Sequence, residues 1–187
     1  MEKKLSDKKV LFLNFSARIN PGNCEKIMEH ISKRYKFKET KVVNVRDLNY
    51  HPCSNCNYNC FFERTCPHAN DDIGTLSLDI LNYDVAIFLI PEYCGGFSAL
   101  YQIFNERSQF YYNGDEYVEK QEKVQKLYIL VGNTDPDILL KMIGYKDDAI
   151  VASNHIYGKN SIKGEITDSE EFLKYLDEFF DKKLLGK

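Results

Sequence analysis

Short, continuous apolar runs alternate along the chain with segments in which apolar residues recur every three or four positions, the signatures of buried strands and one-sided helices. The runs at 9–14, 41–45, 84–90, 127–131 and 149–152 read as strands. Pro91 is expected to end the third, because proline lacks the N–H that a sheet ladder uses. Ile27, Ile31 and Tyr35 place one apolar face on a helix over 23–36, and further helices are expected over 71–82, 98–110 and 136–143. A last helix opens with Asp168 and Glu171 in a capping-box-like arrangement. Its stripe of Phe172, Tyr175, Leu176, Phe179 and Phe180 marks core. Two stretches lack periodicity: 49–70, rich in Pro, Asn and Cys, reads as loop, and the aromatic stretch 110–117 reads as a surface excursion.

Five strands alternating with helices predict an α/β fold, a three-layer sandwich in which a parallel sheet carries helices on both faces. At 187 residues the chain suits a single domain, 1–187, with the cysteine-rich loop at about 49–70 as its irregular part. Hydrophobic residues make up 43%, yet no run reaches the roughly 20 apolar residues of a membrane-spanning helix, so no membrane partner is expected. The polar N-terminus lacks the apolar segment and cleavage site of a secretory signal, which predicts a cytoplasmic location. A net charge of -3 gives no basic footprint for DNA or RNA.

In an open α/β sheet, ligands bind beyond the carboxyl ends of the strands. The first loop there carries Ser16, Arg18, Asn20, Gly22, Asn23 and Cys24 ahead of a helix. A hydroxyl, a guanidinium, amides and the positive end of a helix suit a phosphate monoester, and equally an ordinary polar turn. Neither G-x-G-x-x-G nor G-x-x-x-x-G-K-[ST] is present. A second loop carries Pro91, Glu92, Tyr93, Cys94, Gly95 and Gly96. Its glycines let backbone approach a flat ligand on which Tyr93 could stack, or merely permit an awkward turn.

Residues 16–24 resemble the G-S-P-R-x-x-S-N-T phosphate loop of the NAD(P)H-dependent FMN reductases in the flavodoxin-like superfamily. Residues 91–99 resemble that family's P-x-Y-x-G-x-x-S-A flavin loop, and 100–107 its L-K-x-F-I-D-R helix. The resemblance implies a flavodoxin-like sheet of order 2-1-3-4-5. It implies an FMN phosphate held by Ser16, Arg18, Asn23 and Cys24, with Asn20 and Gly22 in the same loop. Pro91, Glu92, Tyr93, Cys94 and Gly95 would line the ribityl chain and isoalloxazine beside Gly96, and Val131, Gly132 and Asn133 would close the far side. The implied activity is electron transfer from NAD(P)H through FMN to a small acceptor such as a flavin, quinone or nitro compound, without a general acid or base. A homodimer or homotetramer is also implied, with the segment from Tyr111 and Tyr112 to Tyr117 as a candidate contact. The chain departs from the pattern at Asn14, where glycine is usual, at Cys24 for threonine, and at Gly132 and Asn133 for T-G-G. The missing hydroxyl at Cys24 would remove one hydrogen bond to a charged group, worth about 1.5–3 kcal/mol. These departures keep open a flavin-free binding or sensing module.

Cys53, Cys56, Cys60 and Cys66 are spaced C-x₂-C-x₃-C-x₅-C and followed by Pro67. Four thiolates at such spacing hold iron–sulfur clusters or tetrahedral zinc, or pack as plain thiols. The pattern resembles the compact motif of iron–sulfur flavoproteins in the same family, with a middle gap one residue longer. That implies an alternative in which a four-iron four-sulfur cluster makes the protein an electron carrier. His51 and His68 flank the set and read as solvated loop histidines.

Overall fold

The computed structural model describes residues 3–157 and 165–186. Strand β1 (Lys3–Asn14) leads through helix α1 (Asn23–Arg34) to β2 (Tyr35–Asn44). The cysteine-rich stretch contains the short α2 (Asn59–Phe62) and is followed by α3 (Asp72–Asp79), β3 (Val85–Tyr93) and the two-residue β4 (Gly96–Phe97). Helices α4 (Ala99–Ser108) and α5 (Asp115–Gln121), strand β5 (Gln125–Gly132), α6 (Pro136–Ile143), β6 (Ala149–Ser153) and α7 (Glu170–Leu185) complete the order. The five long strands pair in parallel as β2-β1-β3-β5-β6, and β4 folds back antiparallel on the end of β3. With β4 set aside, this is the expected 2-1-3-4-5 order.

Successive strand residues face opposite cores. Leu11, Leu13, Phe88, Ile90 and Leu130 pack with Ile73 and Leu76 of α3, Tyr101 and Phe104 of α4, and Leu139 and Ile143 of α6. Val10, Phe12, Ile87, Leu89 and Ile129 pack on the other side with Ile27 and Ile31 of α1 and with Phe172, Leu176 and Phe180 of α7. Burial on both faces is why the strands read as continuous apolar runs, not as alternating ones.

Several expected boundaries move for physical reasons. The first helix stops at Arg34 instead of residue 36, because Tyr35 and Lys36 pair with Lys3 and Lys4 and extend β1 and β2 well beyond the apolar runs. Tyr35 is buried against Phe180 and donates its hydroxyl hydrogen to Asp181 at 2.8 Å, so tertiary contact overrides its helical spacing. β3 passes through Pro91. The pairing of β1 with β3 ends at Asn14 opposite Leu89, so the missing N–H of Pro91 falls on a side that β1 has vacated. The cap of α7 is Ser169, whose hydroxyl accepts the Phe172 N–H at 3.2 Å, one residue after the expected Asp168. The aromatic segment is no excursion: Tyr111 hydrogen-bonds the Ala69 carbonyl, and Tyr117 on α5 hydrogen-bonds that of Ser77. Among the described residues, no helix is long and apolar enough to cross a membrane.

Candidate functional site

The loop after β1 is shaped by a buried amide. Asn14 is fully buried, accepts the Ser16 N–H at 3.0 Å, and donates to Glu25 at 2.9 Å and Asn44 at 3.0 Å. Arg46 closes the network by donating to the Ser16 carbonyl at 3.2 Å and pairing with Glu25 at 3.0 Å. Glu25 also accepts the Gly22 N–H at 3.0 Å, which fixes the start of α1. Burial pushes its carboxyl up, but donation from Asn14, Gly22 and Arg46 wins and holds it below the ordinary carboxylate range. Asparagine in place of the usual glycine is thus a brace for the loop.

Above this brace lies the N-terminus of α1, whose first N–H groups have no partner within the helix. The Arg18 guanidinium folds across it: a Cβ added at Gly22 would sit 2.8 Å from Arg18 Nη1. Ser16 Oγ accepts the Arg18 N–H at 3.3 Å and keeps its own proton to donate. A cation laid over the positive end of a helix is a placement that an intervening anion favours, so the donor set fits a phosphate monoester. Two expected phosphate ligands contribute differently. Asn23 spends its side chain on Asn154 and on the Ile166 N–H, leaving its backbone for a ligand. Cys24 is buried in the core, and burial pushes its thiol far up, so it too offers only backbone.

The loop after β3 is a hairpin in which Glu92 pairs with Phe97 and Tyr93 with Gly96. Its two connecting residues, Cys94 and Gly95, have φ of 54° and 79°. Glu92 does not simply line a ring site. One carboxylate oxygen accepts the Gly95 N–H at 2.6 Å, and the other accepts those of Asn133 at 3.0 Å and Thr134 at 3.3 Å. Burial raises the Glu92 carboxyl, but the N–H groups of Asn133, Gly95 and Thr134, with the Thr134 hydroxyl, more than offset this and hold it below its ordinary range. Gly132 is required here, since a Cβ would lie 2.5 Å from both Cβ and Oε2 of Glu92.

These loops enclose a cleft of about 420 Å³ at the carboxyl edge of the sheet, within the size range of small-molecule sites. Ser16, Arg18, Gly22, Asn23 and Cys24 line one end. Pro91, Glu92 and Tyr93 form one wall, and Val131, Gly132 and Asn133 the other. Tyr93 is 42% exposed at the rim. Asn20, Cys94, Gly95 and Gly96 stand outside the lining. Asn154, directly after β6, was missed, although its place at a carboxyl end was signal enough. Beside it, the buried Ser153 hydroxyl has no partner among the described residues.

The four loop cysteines lie elsewhere. Cys53, Cys56, Cys60 and Cys66 all line a second pocket of about 660 Å³ between the cysteine-rich loop and the end of α4. Among the described residues, however, no three His, Cys, Asp or Glu side chains form a group that could hold a metal ion. Of the three readings of this tetrad, the described side-chain arrangement supports neither a cluster nor zinc, and no electron path is derived through it. A guanidinium organises this loop instead. Arg107, buried at the end of α4, grips Asp71 at 2.7 and 3.1 Å and donates to the carbonyls of His51 at 2.6 Å and His68 at 2.5 Å.

Comparison with known proteins agrees with the fold. The sequence pattern of the family described as NADPH-dependent FMN reductase matches residues 8–128, which include the first two loops of the cleft. None of the curated proteins matches the sequence. The fold is similar to that of the NAD(P)H:quinone oxidoreductase from Methanothermobacter marburgensis, at 13% identity and a TM-score of 0.64 over 91% of this chain and 96% of that one. It is similar as well to the Trp repressor binding protein from Bacillus subtilis, at 17% identity and a TM-score of 0.60 over 91% and 98%. An FMN-dependent NADH-azoreductase from Bacillus anthracis, solved with FMN, aligns at 10% identity and a TM-score of 0.60 over 94% and 99%. With about two thirds of its length matched by the family pattern and its sheet of flavodoxin-like order, the chain belongs to the NADPH-dependent FMN reductase family.

Proposed function

We propose that this FMN-dependent NAD(P)H oxidoreductase holds FMN in the carboxyl-edge cleft and passes electron pairs to a small planar acceptor of the quinone, nitro or free-flavin type. The observation that carries the reading is the convergence in one cleft of an anion-binding helix start, a guanidinium and two flat backbone walls. Bound FMN supplies hydride chemistry, accepting from the nicotinamide and delivering to the acceptor. The chain's part is to bind and orient. Ser16, Arg18 and the backbone of Gly22, Asn23 and Cys24 take the phosphate. Pro91, Tyr93, Gly132 and Asn133 receive the ribityl chain and ring, and no side chain is needed as acid or base. The exposed Tyr93 rim leaves one side of the cleft open for nicotinamide and acceptor in turn, and in a homodimer or homotetramer a partner subunit would cover part of it.

The test is steady-state oxidation of NADH and NADPH by the FMN-loaded protein with quinone, nitro-aromatic, azo and free-flavin acceptors, alongside its mass in solution. Turnover with at least one planar acceptor in ping-pong kinetics supports the reading. Reduction of bound FMN with no turnover of any small acceptor overturns it in favour of a protein acceptor.

A further inference from the structure

The carboxylate of Glu92 spans two loops that are far apart in sequence, 41 residues from Glu92 to Asn133, and both are walls of the cleft. It holds three backbone N–H groups with two oxygens, at 2.6, 3.0 and 3.3 Å. The Gly95 bond ties the Cys94–Gly95 turn, with its two positive φ values, to β3. The Asn133 and Thr134 bonds pull the end of β5 against β3, so tightly that position 132 tolerates no Cβ. A fixed negative charge therefore stands in the wall of a cleft whose ligand gains negative charge on reduction.

We propose that Glu92 is a positioning residue of the flavin site: its carboxylate locks the β3 and β5 loops into one preset floor, and its charge disfavours the reduced, more anionic form of bound FMN. The inference rests on FMN binding in this cleft. It also reassigns Glu92 from a ring-lining contact to the link between the two walls. The Gly95, Asn133 and Thr134 N–H groups serve the carboxylate and so are not free to serve the flavin directly.

Two variants separate reach from charge. Glu92→Asp keeps the charge and shortens the arm by one methylene. It is expected to weaken binding of oxidised and reduced FMN alike by about ten- to a hundredfold, as loss of hydrogen bonds to a charged group requires. Glu92→Gln keeps the reach, cannot satisfy all three donors and removes the charge. It is expected to shift the ratio of the two Kd values about tenfold toward reduced FMN, a change that loosening alone does not produce. The Kd values are read anaerobically by fluorescence titration with FMN and dithionite-reduced FMN. Amide resonances of the flavin-free protein supply a readout without ligand: those of Gly95, Asn133 and Thr134 should titrate together in the wild type, with a midpoint below the ordinary glutamate range. Variants that bind both redox forms as the wild type does, or three amides that titrate independently, overturn the proposal. A wild-type chain that binds no FMN while its three amides titrate together would instead overturn the flavin site itself.

Discussion

At the scale of single residues, the rim of the cleft carries a local cost. Cys94 and Gly95 connect a two-residue hairpin with φ of 54° and 79°, the positive pair that a type I′ turn requires and that Asn-Gly adopts most readily. Holding an ordinary L-residue in that region costs about 1–2 kcal/mol, less for asparagine. Cys94→Asn is therefore expected to stabilise the protein by about 0.5–1 kcal/mol in urea unfolding, with unchanged slope. A destabilised variant would mean that the thiol makes a contact the turn needs. The sequence offered two readings of this loop's glycines, close approach to a flat ligand or an awkward turn, and Gly95 with its φ of 79° makes such a turn. The steric demand falls on Gly132, across the cleft, because Glu92 reaches over from β3. Nothing in the local pattern around Glu92 announces partners so distant along the chain.

At the scale of elements, the cysteine-rich loop is held against the end of α4. Arg107 and Asp71 form a bidentate pair, and Asp71 also caps α3 by accepting the Gly74 N–H at 3.0 Å and holds the His51 N–H at 3.1 Å. Arg107→Met leaves that carboxylate without its countercharge and is expected to cost about 3–5 kcal/mol in urea unfolding. It should also speed labelling of Cys53, Cys56, Cys60 and Cys66 by a thiol reagent, while unchanged labelling would show that the loop is held by other contacts. The same pair gives an acid signature. Burial raises the Asp71 carboxyl, but Arg107, then the Gly74 and His51 N–H groups, bring it down to about 2 from 3.8. A depressed carboxyl stabilises fully above its unfolded value and loses that stabilisation as protons bind the folded form. Stability should therefore fall between about pH 4 and pH 2, and fall less steeply in Arg107→Met. Strands and helices were largely legible because each is buried on one or both faces. The boundaries that failed, at Tyr35 and Pro91, were those decided by a partner strand's presence or absence. The cysteine spacing left metal and plain thiols equally open, and it carried no sign of Arg107, which holds the carbonyls of His51 and His68 on either side of the four thiols.

At the scale of the whole molecule, the parallel sheet brings the ends of β1, β3, β5 and β6 to one edge, and the cleft is built from the loops that leave them. The loops after β1 and β3 that line the cleft were readable as motifs because each is contiguous in sequence. The brace of Asn14, Glu25 and Arg46 was not, since it joins segments only after the sheet has formed. The central claim, that these loops form an FMN site reducible by nicotinamide, is tested most directly by an anaerobic absorption titration. FMN is added to the protein, unbound flavin is removed by gel filtration, and NADH or NADPH is then supplied. About one FMN should be retained per chain, and at least one nicotinamide should bleach both flavin bands. A protein that elutes colourless after FMN addition, or whose bound flavin neither nicotinamide reduces, would contradict the central claim.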